Sequence, residues 1–516
     1  MDEATTGPLR LAELVAALSL ATDLGTGQPL EHALRTSLLS IELARRSGVD
    51  PDQLADVYYL ALLRFVGCTA DAADTATEVG GDDIGFIAEM SPAWMGSMRE
   101  QMGAMVRATG AGEPMLRRLG LLAAMLTDTQ GANRSIGAHC EAAQLLSERL
   151  GVGAGVTDAL GLAFERWDGK GQPAGVAGAD VPLPVRVVVV ARDIELWSRL
   201  GGADAATEVV GRRSGRAYDP DVAAAFLDDP GAVLDATRTP DAWTATLDAE
   251  PTPWVRLHDD RLDEVLAAFG DFADLKSPWL RGHSSGVADL ASLAAEIAGL
   301  DAEEATAVKR AGLVHDLGRV GVANRVWDDP GPLTVEARER VRLHPYLTER
   351  ILSRSRRLEP YARLAACHHE RADGSGYHRG AKHDGLSPSE RILAVADAYH
   401  AMTEARSHRP AMSHDEAARE IRREADEGRF DRSDVECVLE AAGHEPVRRV
   451  AAPADLTERE LEVLALIARG KSNRVVAEEL SISPKTVGTH VEHIYAKAGV
   501  STRAGATLFA MEHRLL

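Results

Sequence analysis

The sequence predicts an all-α protein: two tandem helical bundles followed by a small four-helix domain. Three observations carry this expectation. Ala, Leu, Val and Arg are abundant while aromatic residues make up only 4% of the chain, a composition that favours helix. Most of the chain reads as amphipathic helix. Capping signals stand where helices should begin, as in Asp301 with Glu304 and in Ser387-Pro388-Ser389-Glu390, where Pro takes the first helical position. The run Val187–Val190 has strand-like content, but its long helical context predicts buried helix.

At 516 residues the chain should hold about three domains. The net charge of −22 excludes a passive nucleic-acid coat, so any DNA-binding part must be a local exception. Cys68, Cys140, Cys367 and Cys437 form no CxxC pair. That argues against a disulfide framework or thiolate zinc site and for a reducing compartment. No stretch reaches the eighteen apolar residues of a membrane span. The start, Met1-Asp2-Glu3, lacks the layout of a signal peptide. A cytoplasmic protein without membrane partners is expected.

Two regions repeat each other. In the second, landmarks fall at His283, His315-Asp316, His344, His368-His369 and Asp397, with steps of 32, 29, 24 and 29. In the first, His32, Arg64-Phe65, His139, Ala163-Phe164 and Arg192 follow steps of 32, 75, 24 and 29. One insertion of 46 residues accounts for the exception. Glu165–Gly171 parallels Glu370–Gly376, and Tyr218-Asp219 parallels Phe430-Asp431. This reads as a duplication. The expected boundaries are 1–235 for the first copy, 236–276 for a connector, 277–446 for the second copy, 447–454 for a linker and 455–516 for the last domain.

The second copy concentrates ligand chemistry. His283, His315, Asp316, His344, His368, His369 and Asp397 can each hang from a different helix and point inward, which is how helical bundles build dinuclear sites. An all-N/O donor set without thiolate suits iron or manganese. Asp316 is suited to bridge two cations, and such a pair lowers the pKa of a water between them and holds a phosphoryl group. Arg319, one turn past His315, offers a planar fork to a phosphate oxygen. Asp316 and Arg319 are therefore the candidate catalytic residues.

The strings His315-Asp316-Leu317-Gly318-Arg319, His344-Pro345, His368–Tyr377 and Arg391–Ala398 resemble the HD-GYP family of cyclic-dinucleotide phosphodiesterases over roughly residues 280–440. The resemblance implies a helical fold, a metal pair and hydrolysis of cyclic di-GMP. It also implies substrate contacts from Arg319, Asp373, Gly376, Tyr377, Arg406 and Arg409. Three positions depart from the family pattern: Arg319 replaces a Lys, His378 replaces the Pro of GYP, and Trp279 stands where many members carry a Glu. The last implies two divalent ions rather than three. Glu370 and Asp373 either orient ligands or fix their loop.

The first copy keeps His32 and His139 but has Arg64, Phe65, Ala163, Phe164 and Arg192 at the other places, so no metal is expected there. Its insertion holds seven of the eleven methionines, between Met90 and Met125. Trp94, Met98, Met102 and Met105 share one helical stripe. Adaptable core, or packing against the second copy, is the favoured reading, a small-molecule or protein sensor surface the other.

Residues 456–516 carry eight Lys/Arg against seven Asp/Glu, the local exception required above. Thr457 and Glu460 cap a first helix, Gly470–Asn473 make a turn, and Ser483-Pro484 open a helix that turns Val487, Val491 and Ile494 inward. Lys485, Thr489, His493 and Lys497 line its other face, as a recognition helix presents to the major groove. The strings Leu456–Leu464, Gly470–Asn473 and Ser481–Ala506 resemble the LuxR-type helix-turn-helix. This implies promoter binding, usually as a homodimer, with Lys485, Thr486, Thr489, His490, His493 and Lys497 at the DNA. Gly488 replaces a frequent Lys there.

The expected function is a metal-dependent nucleotide phosphodiesterase coupled to a transcription regulator. The alternative is an HD domain that senses metal and a nucleotide second messenger without turnover and controls the DNA-binding tail. A phosphatase with an incidental tail is a further rival.

Overall fold

The capping signals do what the sequence asks of them. Asp301, Ser387 and Thr457 each accept the backbone N–H three residues on, and Glu304, Glu390 and Glu460 reach back to the cap N–H. Ser413 and Glu416 form a fourth capping box. Each cap contributes about 1 kcal/mol. The computed structural model describes residues 9–128, 131–443, 453–513 and 515–516. They are helical apart from loops and one two-residue antiparallel ribbon that pairs Leu9 with Leu257 and Arg10 with Arg256. Val187, Val188 and Val190 lie buried in the helix Leu183–Arg213. No helix among the described residues is long and apolar enough to cross a membrane.

The chain divides into two compact units between Leu262 and Asp263. In the first, the helix Leu11–Gly25 is buried along almost its whole length beside His32–Arg46 and Leu54–Leu63, and Leu183–Arg213 packs on those two. The two Met-rich helices of the insertion supply almost no core. Only Ala104 is buried in Met98–Ala108, and no residue is buried in Met115–Thr127. Met98 is 73% and Leu116 86% exposed. Trp94 precedes the helix, so the expected stripe begins at Met98.

The second unit repeats four local features of the first. Asp23 accepts the N–H of Ala33 at 3.1 Å, and Asp274 accepts that of Ser284 at 2.9 Å. The helices His32–Arg46 and His283–Ile297 both start after a left-handed residue, Glu31 at φ +77 and Gly282 at φ +83. Glu165 accepts the N–H groups of Ala174 and Gly175, and Glu370 those of Arg379 and Ala381. Gly171 and Gly376 approach their own loops so closely that a Cβ would lie 2.4 and 2.5 Å from backbone atoms. The repeat therefore includes Asp274 and the helix Leu262–Asp274, inside the stretch 236–276 expected as a connector. That stretch also carries the helix Ala242–Asp248. The expected linker 447–454 lies outside the described residues except for 453 and 454.

Four helices end the second unit: Glu458–Ala468, Asn473–Glu479, Pro484–Ala498 and Arg503–Glu512.

Candidate metal centre

Each expected ligand stands at the end of a helix or on its buried face. His283 is the first residue of its helix, fixed there by Asp274. His315 closes Ala302–Val314, and Asp316 follows before the short turn Leu317–Gly321 that carries Arg319. Gly318 is required, since a Cβ there would lie 2.1 Å from the carbonyl of His344. Thr348 stitches the two segments, accepting from the Gly318 N–H at 2.8 Å and donating to the His315 carbonyl at 3.0 Å. His344 opens its helix, His368 and His369 follow Glu359–Ala366, and Asp397 sits inside Pro388–Thr403. All seven residues converge. All are buried except the half-buried His369.

The two carboxylates divide the set. Asp316 Oδ1 lies 3.2 and 3.4 Å from Nε2 of His344 and His368, while Oδ2 lies 3.5 and 3.8 Å from Nε2 of His315 and His283. Asp397 Oδ1 is 3.2 Å from His283 Nε2, and Oδ2 is 3.4 Å from His369 Nδ1. Three imidazoles give their Nδ1 proton to a carbonyl three residues back: His315 to Gly312 at 2.7 Å, His344 to Val341 at 2.6 Å and His368 to Ala365 at 2.6 Å. Their Nε2 atoms therefore face the carboxylates as lone pairs. His283 Nε2, His315 Nε2 and Asp316 Oδ1 are buried without a hydrogen-bond partner. Burial lowers the His315 pKa to about 4 and holds those of His344 and His369 down, keeping these imidazoles neutral. Asp316 stays well below the carboxylate range because Arg319 and His315 outweigh its burial. Neutral imidazoles at His315, His344 and His369 beside ionised carboxylates fit a divalent cation, while at His283 burial is outweighed by Glu404 and Asp397, which raise its pKa to about 10. Four groups of donors lie close enough to hold an ion: His344, His368 and His369; His283, His315 and Asp397; His315, Asp316 and His368; and His283, His400 and Glu404.

A family model for the HD domain matches residues 268–433, and the model described as bacterial regulatory proteins, luxR family, matches 454–510. The chain joins an HD-GYP-like HD domain to a luxR-family domain. Among curated relatives, the 3'3'-cGAMP-specific phosphodiesterase 3 of Vibrio cholerae is 28% identical over 412 residues, 79% of this chain and 89% of the relative. A cyclic di-GMP phosphodiesterase of Thermotoga maritima is 36% identical over 166 residues, 32% of this chain and under half, 45%, of that protein. The crystal structure of a cyclic GMP-AMP specific phosphodiesterase of V. cholerae, V-cGAP3, matches with a TM-score of 0.59 at 25% identity. It covers 85% of this chain and 99% of that one.

Around the HD-domain donors, Arg319 hydrogen-bonds Asp316 Oδ2 at 2.5 Å and stacks on Trp327 at 3.9 Å, with its Nε left without a partner. Tyr377 lies against His369, ring centroids 4.8 Å apart. Gly376 makes the close loop approach described above. Asp373 is exposed and accepts the Ser375 N–H at 2.8 Å, a turn contact. Glu370 fixes the loop rather than a ligand. Arg406 is committed to Glu404 at 2.8 Å and the Trp279 carbonyl at 3.0 Å. Arg409 spends its guanidinium on the carbonyls of Ala401, Met402, Glu404 and Pro410. Sequence reasoning missed Trp327, His400 and Glu404. Their signal was chemical type alone, since no spacing ties them to the ligands.

In the first unit the equivalent place is a stack of arginine on aromatic rings. Arg64 lies 4.9 Å from the Phe164 centroid and 5.7 Å from that of Phe65, and His139 donates to the Arg64 carbonyl at 2.9 Å. Among the described residues, every group of donors able to hold a metal lies in the HD domain.

In the luxR-family domain Val487 and Ile494 are buried, and Lys485, Thr486, Thr489 and His493 are exposed. His490 is half-buried. Lys497 is committed at 2.7 Å to Glu460, which His493 also faces at 3.8 Å.

Proposed function

We propose that the HD domain is a phosphodiesterase that holds two divalent cations, iron or manganese, and cleaves a 3'3'-linked cyclic dinucleotide. The single observation that carries this is the acceptor arrangement of the centre: Asp316 turns one oxygen to His344 and His368 and the other to His315 and His283. His344, His368 and His369 would hold one ion and His283, His315 and Asp397 the other, with Asp316 between. When bound, such ions supply Lewis acidity and a water of lowered pKa. The chain's own residues supply the rest. Asp316 and Asp397 stay ionised and orient the imidazoles. Arg319, held in place by Asp316 and Trp327, turns its open Nε–H to a phosphate oxygen as the charge there grows. Tyr377, against His369, lines the approach.

The luxR-family domain supports a DNA-binding regulator on the same chain, reading a promoter through Lys485, Thr486, Thr489 and His490. A tie between the two activities is supported by Arg281, two residues before His283. It donates to the Ala468 carbonyl at 3.1 Å and to Thr507 Oγ1 at 2.7 Å in the C-terminal helices. The test is hydrolysis of 3'3'-cGAMP, cyclic di-GMP and linear dinucleotides by the Mn-loaded protein. Turnover of a cyclic dinucleotide that Asp316→Ala abolishes supports the phosphodiesterase. Binding without turnover favours the sensor instead.

A further inference from the structure

His283 differs from the other ligand histidines in how its ring is held. His315, His344 and His368 each use the carbonyl three residues back. For His283 that carbonyl, of Leu280, accepts the residue's own backbone N–H, at 2.8 Å. Its Nδ1 instead meets Glu404 Oε2 at 2.9 Å. Arg406 anchors the same oxygen at 2.8 Å, and His400 lies 3.3 Å from the same nitrogen.

The first copy holds its corresponding histidine in the same way. His32 also opens its helix, and its N–H also takes the carbonyl three residues back, that of Pro29, at 3.2 Å. Its Nδ1 bonds Glu195, which Arg199 anchors at 3.3 Å. Glu195 stands three residues after Arg192, as His400 stands three residues after Asp397. Arg199 stands at the place of Glu404. The two copies solve one problem with the carboxylate displaced by a single helical turn.

We propose that Glu404 is a positioning residue of the metal centre: it takes the Nδ1 proton of His283 and so fixes the tautomer and aim of the Nε2 lone pair. This rests on the metal reading above. A carboxylate behind a ligating imidazole both orients the ring and raises its basicity, and its loss costs about 10–100-fold in metal affinity. His283, His400 and Glu404 also lie close enough to hold a cation themselves. With its Nε2 turned to Asp397 and Asp316, a cation on Nδ1 as well would need an imidazole deprotonated at both nitrogens, which argues against that use.

The experiment is Mn2+ binding to the full chain, read as ions per chain and as affinity by chelator competition. Wild type is expected to bind two ions. Glu404→Ala should weaken one of them by about 10–100-fold and leave the other. Glu404→Gln, which keeps an acceptor oxygen and the shape of the side chain, should lose only a few-fold. The double variant His400→Glu/Glu404→Arg, which rebuilds the Glu195 and Arg199 arrangement of the first copy, should recover most of the Glu404→Ala loss. Wild-type affinity in Glu404→Ala would overturn the assignment while leaving the metal centre standing. So would three ions in wild type and two in Glu404→Ala. A wild type that binds no Mn2+ would overturn the metal reading and this inference with it.

Discussion

His344 Nε2 and His368 Nε2 face each other at 3.0 Å, although each ring has given its Nδ1 proton to a helix carbonyl. Two lone pairs at this separation, with an ionised Asp316 oxygen 3.2 and 3.4 Å away, repel unless positive charge lies among them. Stripping metal should therefore cost fold stability as well as activity. A chelator is expected to lower the melting temperature of the wild type, and Mn2+ to restore it. Asp316→Ala should melt at the same temperature with or without chelator. Differential scanning calorimetry checks this.

Arg319 is aimed by two contacts, the Asp316 carboxylate and the Trp327 ring. Arg319→Met should lower kcat/KM by about 100-fold while the protein still binds its metal. Arg319→Lys keeps the charge but not the fork and should fall between. Steady-state kinetics beside metal analysis separates this loss from damage to the centre. Equal loss of metal would show Arg319 to be structural.

Gly318 has no room for a side chain. Gly318→Ala drives a Cβ to within 2.1 Å of the His344 carbonyl and should cost about 3 kcal/mol in urea unfolding. It should also lower metal affinity, because His315 and His344 are separated by that contact.

Two lysines of the recognition helix should behave differently. Lys485 is exposed, and Lys485→Ala should weaken DNA binding across sequences and reduce the salt slope by about one. Lys497 is committed to Glu460, so Lys497→Ala should act mainly on stability, with little change in that slope. Salt titrations of DNA binding check both.

Glu460 accepts from Lys497 and from the Thr457 N–H, which together hold its pKa near 2 in the fold, against 4.5 when unperturbed. A depressed folded pKa means that its stabilisation is complete above 4.5 and is lost as the pH falls toward 2. The stability difference between wild type and Glu460→Gln should be constant from pH 7 to 5 and shrink below that, as followed by calorimetry of the full chain.

The convergence of the seven candidate residues was legible because the proposed metal chemistry restricts each position to His or Asp, and the spacing between the copies placed those positions. The capping boxes were legible for the same reason: a short hydroxyl or carboxyl oxygen must meet a fixed N–H. What holds the ligands was not legible. Glu404 reaches His283 across 121 residues, and the first copy does the same work from a place one turn earlier, so no spacing signals it. Trp327 under Arg319 is a contact of shape, which sequence does not encode locally. The start of the second copy was missed because Asp23 and Asp274 act on backbone N–H groups rather than through a motif. The methionines of the insertion suggested core, yet none of them is buried. Apolar periodicity fixes a face and not what covers it.

The central claim is a two-cation centre held by His283, His315, Asp316, His344, His368, His369 and Asp397. Elemental analysis of the purified chain tests it most directly. About two first-row divalent ions per chain in wild type, falling below one in Asp316→Ala, is the predicted result. A wild type that carries no such ion after growth and reconstitution with iron or manganese would contradict it.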